Sequence, residues 1–371
     1  MQRCIALALL TSLTTFAQLK TATPESAGMS KQRLGLAAQI LAEEAKSGRV
    51  SAAAIIVVKN GRIVLHQGFG KAKPDTVFLL ASISKPVTAT AVMMLVERGK
   101  ISLNDPASLY LPELKGEQRQ LIRVRDLLSH TSGLPDMLPE NTDLRRAHAP
   151  LSDFVKQTFT TPLLYQPRTD FRYQSMGTLL AGEIVERVTG RRLRDFEKTE
   201  IFDPLGMKDS SLGLGGRHIE DTARCQTGTG PDEDSFGANS PYWRDMGHPW
   251  GGMHSTTTDL AILLQTFLNG GQYNGQRLLS PSTVARMTSD QNGAIAKPWG
   301  LGWGLATSVV WAYFGDLVSP ETFGHSGATG TVAWADPANQ LITVILTTRA
   351  AAEDDGRLLR TVSNAVAAAV E

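Results

Sequence analysis

Apolar residues first gather in SAAAIIVVKNGRIVLHQGFG (51–70), which reads as two strands joined at Asn60-Gly61. Asn-Gly is the pair that a tight type I′ hairpin turn favours. The residues ahead of it form a polar lead-in. From residue 83 the spacing turns helical: Ile83, Val87, Ala91, Met94 and Leu95 share one face, and Gly99 closes that helix. Between about 120 and 290 the pattern predicts short helices and loops, among them 121–129, 152–159, 177–190 and 256–270. The stretch 209–252 is different: rich in Gly, Pro, Ser and Asp, it predicts a long loop of the kind that often serves function. Strand signals return beyond about 299. Residues 330–348 read as a second hairpin turning at Asp336-Pro337-Ala338-Asn339, and a helix over roughly 354–370 closes the chain.

Strands at both ends with helices between them predict an α/β (α+β) fold. Its antiparallel sheet, flanked by helices, would be built from N- and C-terminal segments, about 24–80 and 295–371. A mostly helical lobe, about 81–294, is inserted between them. No linker divides the chain, so residues 18–371 are expected to form a single domain.

Composition narrows the function classes. The 371 residues are 42% hydrophobic and 20% charged, with 37 basic and 36 acidic side chains and a formal net charge of +1. That balance leaves no electrostatic footprint for nucleic acid or an anionic membrane surface. The opening MQRCIALALLTSLTTFAQLK reads as an export signal: Arg3 gives the positive region, CIALALL begins a short apolar run, and cleavage is expected after Ala17. Cys4 would leave with it, so Cys225 would be the only thiol of the mature chain. No other stretch is long and apolar enough for a membrane span. A periplasmic or extracellular protein is expected.

Candidate chemistry begins at ASISKPVTATAVMMLVERGK (81–100). Ser82 and Lys85 are three residues apart at a helix entrance and so share a face. A serine hydroxyl needs a base within hydrogen-bond reach, and a desolvated lysine can be that base. Ser-x-x-Lys alone is a weak signal. Further elements follow in order: FRYQSMG (171–177), with Tyr173 and Ser175 at a helix start, and GHSGATG (324–330) at the C-terminal hairpin.

The set Ser82-x-x-Lys85, Tyr173-x-Ser175 and His325-Ser326-Gly327 resembles the signature of the penicillin-recognising serine hydrolases. These are serine β-lactamases, D-alanyl-D-alanine peptidases and related esterases. The tyrosine-based second motif is similar to that of the class C β-lactamase-like branch. SHTSGLP (129–135), IFDPLGMKDS (201–210), GGMHSTTTDL (251–260) and WGLGWGL (299–305) look like landmarks of the same branch. The resemblance implies an acyl-enzyme on Ser82, with Lys85 as base, or with Tyr173 as a phenolate base held by Lys85 and His325. It implies that His325, Ser326 and Gly327 face the substrate, and that the backbone N–H groups of Ser82 and Ala328 form the oxyanion hole. No cofactor and no metal are implied.

Two departures shape the substrate expectation. Ser175 stands where the motif usually has Asn, and His325 where it usually has Lys, removing a permanent charge opposite a substrate carboxylate. β-Lactams and D-Ala-D-Ala peptides carry that carboxylate. The expectation is therefore an exported serine hydrolase acting on esters of uncharged groups, with the 209–252 loop shaping the acyl or leaving-group pocket. β-Lactam hydrolysis and D-amino-acid peptidase activity remain as alternatives, and a non-catalytic penicillin-binding-like protein is the alternative of another class. Gly324-His325-Ser326-Gly327-Ala328 also approaches an α/β-hydrolase nucleophile elbow. No histidine follows Ser326, so that order of residues is not met. His130 is read as bracing a turn. Trp243, Trp250, Trp299, Trp303 and Trp311 are read mainly as core, and His248 and His254 lack carboxylates at ligand spacing.

Overall fold

The computed structural model describes residues 18–228, 230–308, 310 and 313–371, so the predicted export segment and Trp311 lie outside the described residues. Its main sheet has seven strands: β1 (Lys20–Thr21), β2 (Ala52–Lys59), β3 (Arg62–Gly70), β4 (Gly304–Leu305), β5 (Phe323–Gly327), β6 (Thr331–Asp336) and β7 (Leu341–Thr347). They run in the order β1-β3-β2-β7-β6-β5-β4, antiparallel throughout except for the short β1–β3 pair. Asn60 and Gly61 both take positive φ, 53° and 70°, as a type I′ turn requires. The β2–β7 pairing, with Ile55 opposite Ile345, joins the two ends of the chain.

The long helices are α1 (Lys31–Lys46), α2 (Ser84–Glu97), α3 (Ser175–Thr189), α4 (Thr257–Leu268) and α5 (Arg357–Ala367). They cover both faces of the sheet. In β2, Ala53, Ile55 and Val57 enter one apolar core, while Ala52, Ala54, Ile56 and Val58 enter the other. That period of two explains why β2 is apolar without interruption: both of its faces are buried. One face is closed by α1 and α5, whose Leu34, Leu41, Leu359 and Val362 pack with Val57 and Trp334. The Trp334 indole N–H donates to Ser363 at 3.1 Å.

Helix α1 occupies the stretch whose pattern suggested only a polar lead-in. Leu34, Ala37 and Leu41 do fall at helical spacing, and Ser30 caps the helix by accepting from the Arg33 N–H. Charged neighbours dilute that narrow stripe, and the helix gains its stability from packing against the sheet and α5. Helix α2 departs in the opposite sense. Rather than one apolar face, every residue from Ser84 to Leu95 is buried, because α2 runs through the core with α3 packed beside it.

The 209–252 segment is packed rather than loose. Ser211–Leu212 joins Phe78–Leu79 and Met253–Ser255 in a three-stranded sheet. Buried Arg244 donates to the Ala238 and Ala223 carbonyls, the Thr222 hydroxyl and the Asn239 side chain, pinning the turns together.

Candidate active site

Ser82 sits in a single 3₁₀ turn, Ala81–Ile83, that runs directly into α2. Ala81 takes φ 50°, a left-handed conformation costing a non-glycine residue about 1–3 kcal/mol. The surroundings hold it there. Thr329 and Thr331 donate to the Leu79 and Leu80 carbonyls, both at 2.9 Å, and the Leu80 N–H donates to the Met253 carbonyl at 2.9 Å. Ser84 donates back to the Ala81 carbonyl at 2.7 Å. A Cβ at Gly327 would collide with the Leu80 carbonyl and the Thr331 hydroxyl. Glycine therefore lets β5 lie directly against the serine turn, a reason internal to the fold beside the substrate access implied by the motif.

One turn along α2, Lys85 is only 1% exposed. Its Nζ donates to Ser82 Oγ at 2.9 Å and to the Trp250 carbonyl at 3.0 Å. Burial disfavours the ammonium form and brings its pKa down to about 7, while the charge of Asp136 opposes that fall. Below Lys85, Thr88 donates to the Pro249 carbonyl and the Glu197 carboxyl, so the 209–252 segment supports the lysine from behind. None of its described residues lines the cavity in front of Ser82, where the sequence had suggested that this segment shapes the substrate pocket.

Tyr173 lies in the extended lead into α3, with its ring 4.7 Å from the Lys85 ammonium. Burial holds its pKa well above 10; a hydrogen bond with Ser82 works against that, and the charge of Asp136 adds to it. His325, on β5, is 3% exposed. Its Nδ1 donates to the Ser326 carbonyl at 2.7 Å, which leaves the Nε2 lone pair 3.5 Å from the Tyr173 hydroxyl. Burial and the charge of Lys85 push His325 down to about 3, so it is neutral at physiological pH. A neutral His325 supplies no cation to a Tyr173 phenolate, and that half of the expected electrostatics is corrected. Of the two bases left open by the motifs, the environment favours Lys85.

Ser175 opens α3 and donates to Asp136 at 2.6 Å. Asp136 was not singled out in the sequence, although it directly follows the SHTSGLP motif. His130 in that motif has φ 61°. Its carbonyl accepts from Tyr165 and the Arg172 N–H, and its Nδ1 accepts from the Gln174 N–H, gripping the chain on both sides of Tyr173. Trp243, Trp250, Trp299 and Trp303 are all buried, and Trp299 packs edge-on against Tyr173.

Ser82, Tyr173, Ser175, Ser326, Gly327 and Ala328 line one cavity of about 360 Å³, joined by Asp136. Lys85 and His325 lie immediately behind its wall. A larger groove of about 840 Å³ is lined by Ser51, Lys71, Lys73, Glu220 and Arg224, and the Ser51 hydroxyl there bonds the Thr348 hydroxyl at 3.2 Å. Its thiol, Cys225, is kept protonated by burial. Among the described residues no group of three or more His, Cys, Asp or Glu side chains is arranged to hold a metal, and no helix is long and apolar enough to cross a membrane.

Comparison with known proteins gives the family of the chain as a whole. The β-lactamase family model matches residues 37–368. A protein of Salmonella gallinarum, provisionally named as a D-alanyl-D-alanine carboxypeptidase, is 31% identical over 93% of this chain and 90% of its own. The solved structure of EstCE1, described as a hydrolase with promiscuous acyltransferase activity, superposes with a TM-score of 0.73 at 21% identity, covering 91% of this chain and 99% of that one. A family VIII carboxylesterase superposes with a TM-score of 0.72 at 22% identity, covering 91% and 98%.

Proposed function

Because this chain belongs to the β-lactamase family of serine hydrolases, we propose that it hydrolyses esters through an acyl-enzyme on Ser82, in preference to substrates bearing a carboxylate. The observation that carries the reading is the 2.9 Å contact between Ser82 Oγ and a buried lysine whose pKa lies near 7. With the Trp250 carbonyl accepting one N–H, the lone pair of neutral Lys85 takes the serine proton as Oγ attacks the ester carbonyl. The backbone N–H groups of Ser82 and Ala328, both at the cavity wall, hold the oxyanion. The proton taken up by Lys85 reaches the leaving alkoxide through the Tyr173 hydroxyl, which is re-protonated as it donates. Water then attacks the acyl carbonyl, gives a proton to Lys85, and the acid leaves as that proton returns to Ser82 Oγ.

The preference for esters is supported by the cavity lining, which among the described residues includes no lysine or arginine to pair with a substrate carboxylate. A second reading, D-alanyl peptide hydrolysis, rests on the name of the Salmonella relative. One panel separates them: kcat/KM for nitrocefin, short and long p-nitrophenyl esters and D-amino-acid peptides, each against Ser82→Ala. The best ester should exceed nitrocefin by at least about tenfold. High nitrocefin or peptide turnover with negligible ester activity would overturn the preference. We further infer export, from Arg3 and the apolar run that begins at Cys4. Recovery of the full-length product only from the cytoplasmic fraction would contradict it.

A further inference from the structure

Resting on the serine hydrolase reading, we propose that the cleft selects substrates carrying a cationic amine, protonated or quaternary, seated against Asp136. Among the described residues the only charged side chains lining the cavity are Asp136 and Asp355, both acidic. The nearby cations are not part of that lining: Lys85 is sealed behind Ser82, His325 is neutral, and Arg360 is engaged by Asp355 and the Tyr313 ring. The wall in front of the nucleophile is therefore anionic.

Asp136 is half-buried and accepts from Ser175 through Oδ1. Among the described residues no lysine, arginine or histidine lies within ion-pair distance of it. A half-buried carboxylate with no cation in ion-pair contact is only partly compensated, and a cationic ligand group within a few ångströms adds to that compensation. Its charge is felt at both Lys85 and Tyr173, which places it within Coulomb range of the reacting atoms. Asp355 stands more exposed, with Arg360 at 3.9 Å, and adds negative potential on the approach. Between these carboxylates, Met137, Tyr313 and Ala351 offer apolar and aromatic surface. That combination suits an alkylated ammonium group, whose methyls pack on apolar surface while its charge meets a carboxylate. The same lining repels a substrate carboxylate. The short Ser175 side chain supports the arrangement, because its hydroxyl orients Asp136.

The test uses three p-nitrophenyl esters that share a leaving group: 4-(trimethylammonio)butanoate, its uncharged isostere 5,5-dimethylhexanoate, and the anionic glutarate monoester. Rates are normalised to spontaneous hydrolysis. The cationic ester should exceed the neutral one in kcat/KM by at least about tenfold, and the anionic ester should be slowest. Raising salt from about 50 mM to about 500 mM should narrow the ratio in the wild-type protein. Asp136→Asn, which keeps an acceptor for Ser175, should bring the cation-to-neutral ratio close to one. A wild-type ratio near one, or a ratio unchanged in Asp136→Asn, overturns the proposal. If no ester is hydrolysed above Ser82→Ala, the hydrolase reading fails by itself. Calorimetric binding of the two corresponding primary amides then reads cation selectivity without turnover: tighter binding of the cationic amide, lost in Asp136→Asn, supports the seat, and equal binding refutes it.

Discussion

Lys85 Nζ stands 2.9 Å from Ser82 Oγ, inside a wall that leaves the lysine 1% exposed. With its pKa brought down to about 7, the neutral amine is present at physiological pH. The base form exists above that pKa, so kcat/KM for an ester should climb as pH rises through about 7 and then level off. Tyr173, held well above its ordinary range, adds no alkaline fall below about pH 10. Lys85→Ala should lower turnover of a p-nitrophenyl ester by at least roughly a hundredfold. A near-wild-type rate in that variant removes Lys85 from the mechanism.

Asp136 tunes the same base. Its negative charge favours the ammonium form of Lys85 and so holds the pKa higher than burial alone would. Asp136→Asn should therefore move the acid limb of the kcat/KM profile to lower pH. A limb that stays in place, or moves upward, shows that the two side chains are not coupled.

Gly327 should tolerate no side chain. A methyl there meets the Leu80 carbonyl and the Thr331 hydroxyl, so β5 must shift away from the turn that carries Ser82. Gly327→Ala should cost about 1–3 kcal/mol of stability, as overpacking usually does. Acylation should suffer more, by at least roughly a hundredfold, because a displacement near 1 Å misplaces the nucleophile. Urea unfolding and single-turnover kinetics on one sample compare the two effects; equal acylation rates would show that β5 adjusts freely.

Glu197 lies beneath the lysine, fully buried, with its pKa pushed up to about 8 by desolvation and only Thr88 to offset it. Its folded pKa is above the unfolded value, so its contribution is fully present below about pH 4.5 and is lost as pH rises through about 8. At pH 7 the difference is on the order of 3 kcal/mol against the folded state. Glu197→Gln should be more resistant to urea than wild type at about pH 8 and lose most of that advantage near pH 4.5. A constant difference across that range would mean that Glu197 does not titrate on unfolding.

The hairpins at 51–70 and 330–348 were legible because their turns need special residues and because β2 and β7, buried on both faces, are almost continuously apolar. Ser82, Lys85 and Tyr173 were legible through ordered motifs, each weak by itself. Helix α1 was not, since its apolar stripe of Leu34, Ala37 and Leu41 acquires meaning only against a sheet assembled from distant segments. Asp136 was hidden for a similar reason. Nothing local marks it, and its importance arises where α3 brings Ser175 to it across 39 positions of chain. The electrostatic state of His325 was also beyond the sequence, because burial, a property of the assembled fold, decides whether an imidazole is charged.

The central claim is that Ser82 becomes covalently acylated. It is tested most directly by treating the protein with a fluorophosphonate, measuring intact mass and mapping the modified peptide. The account predicts one adduct per chain, located on Ser82, absent from Ser82→Ala and formed far more slowly in Lys85→Ala. An unmodified wild-type protein, or equal labelling of Ser82→Ala, would contradict it.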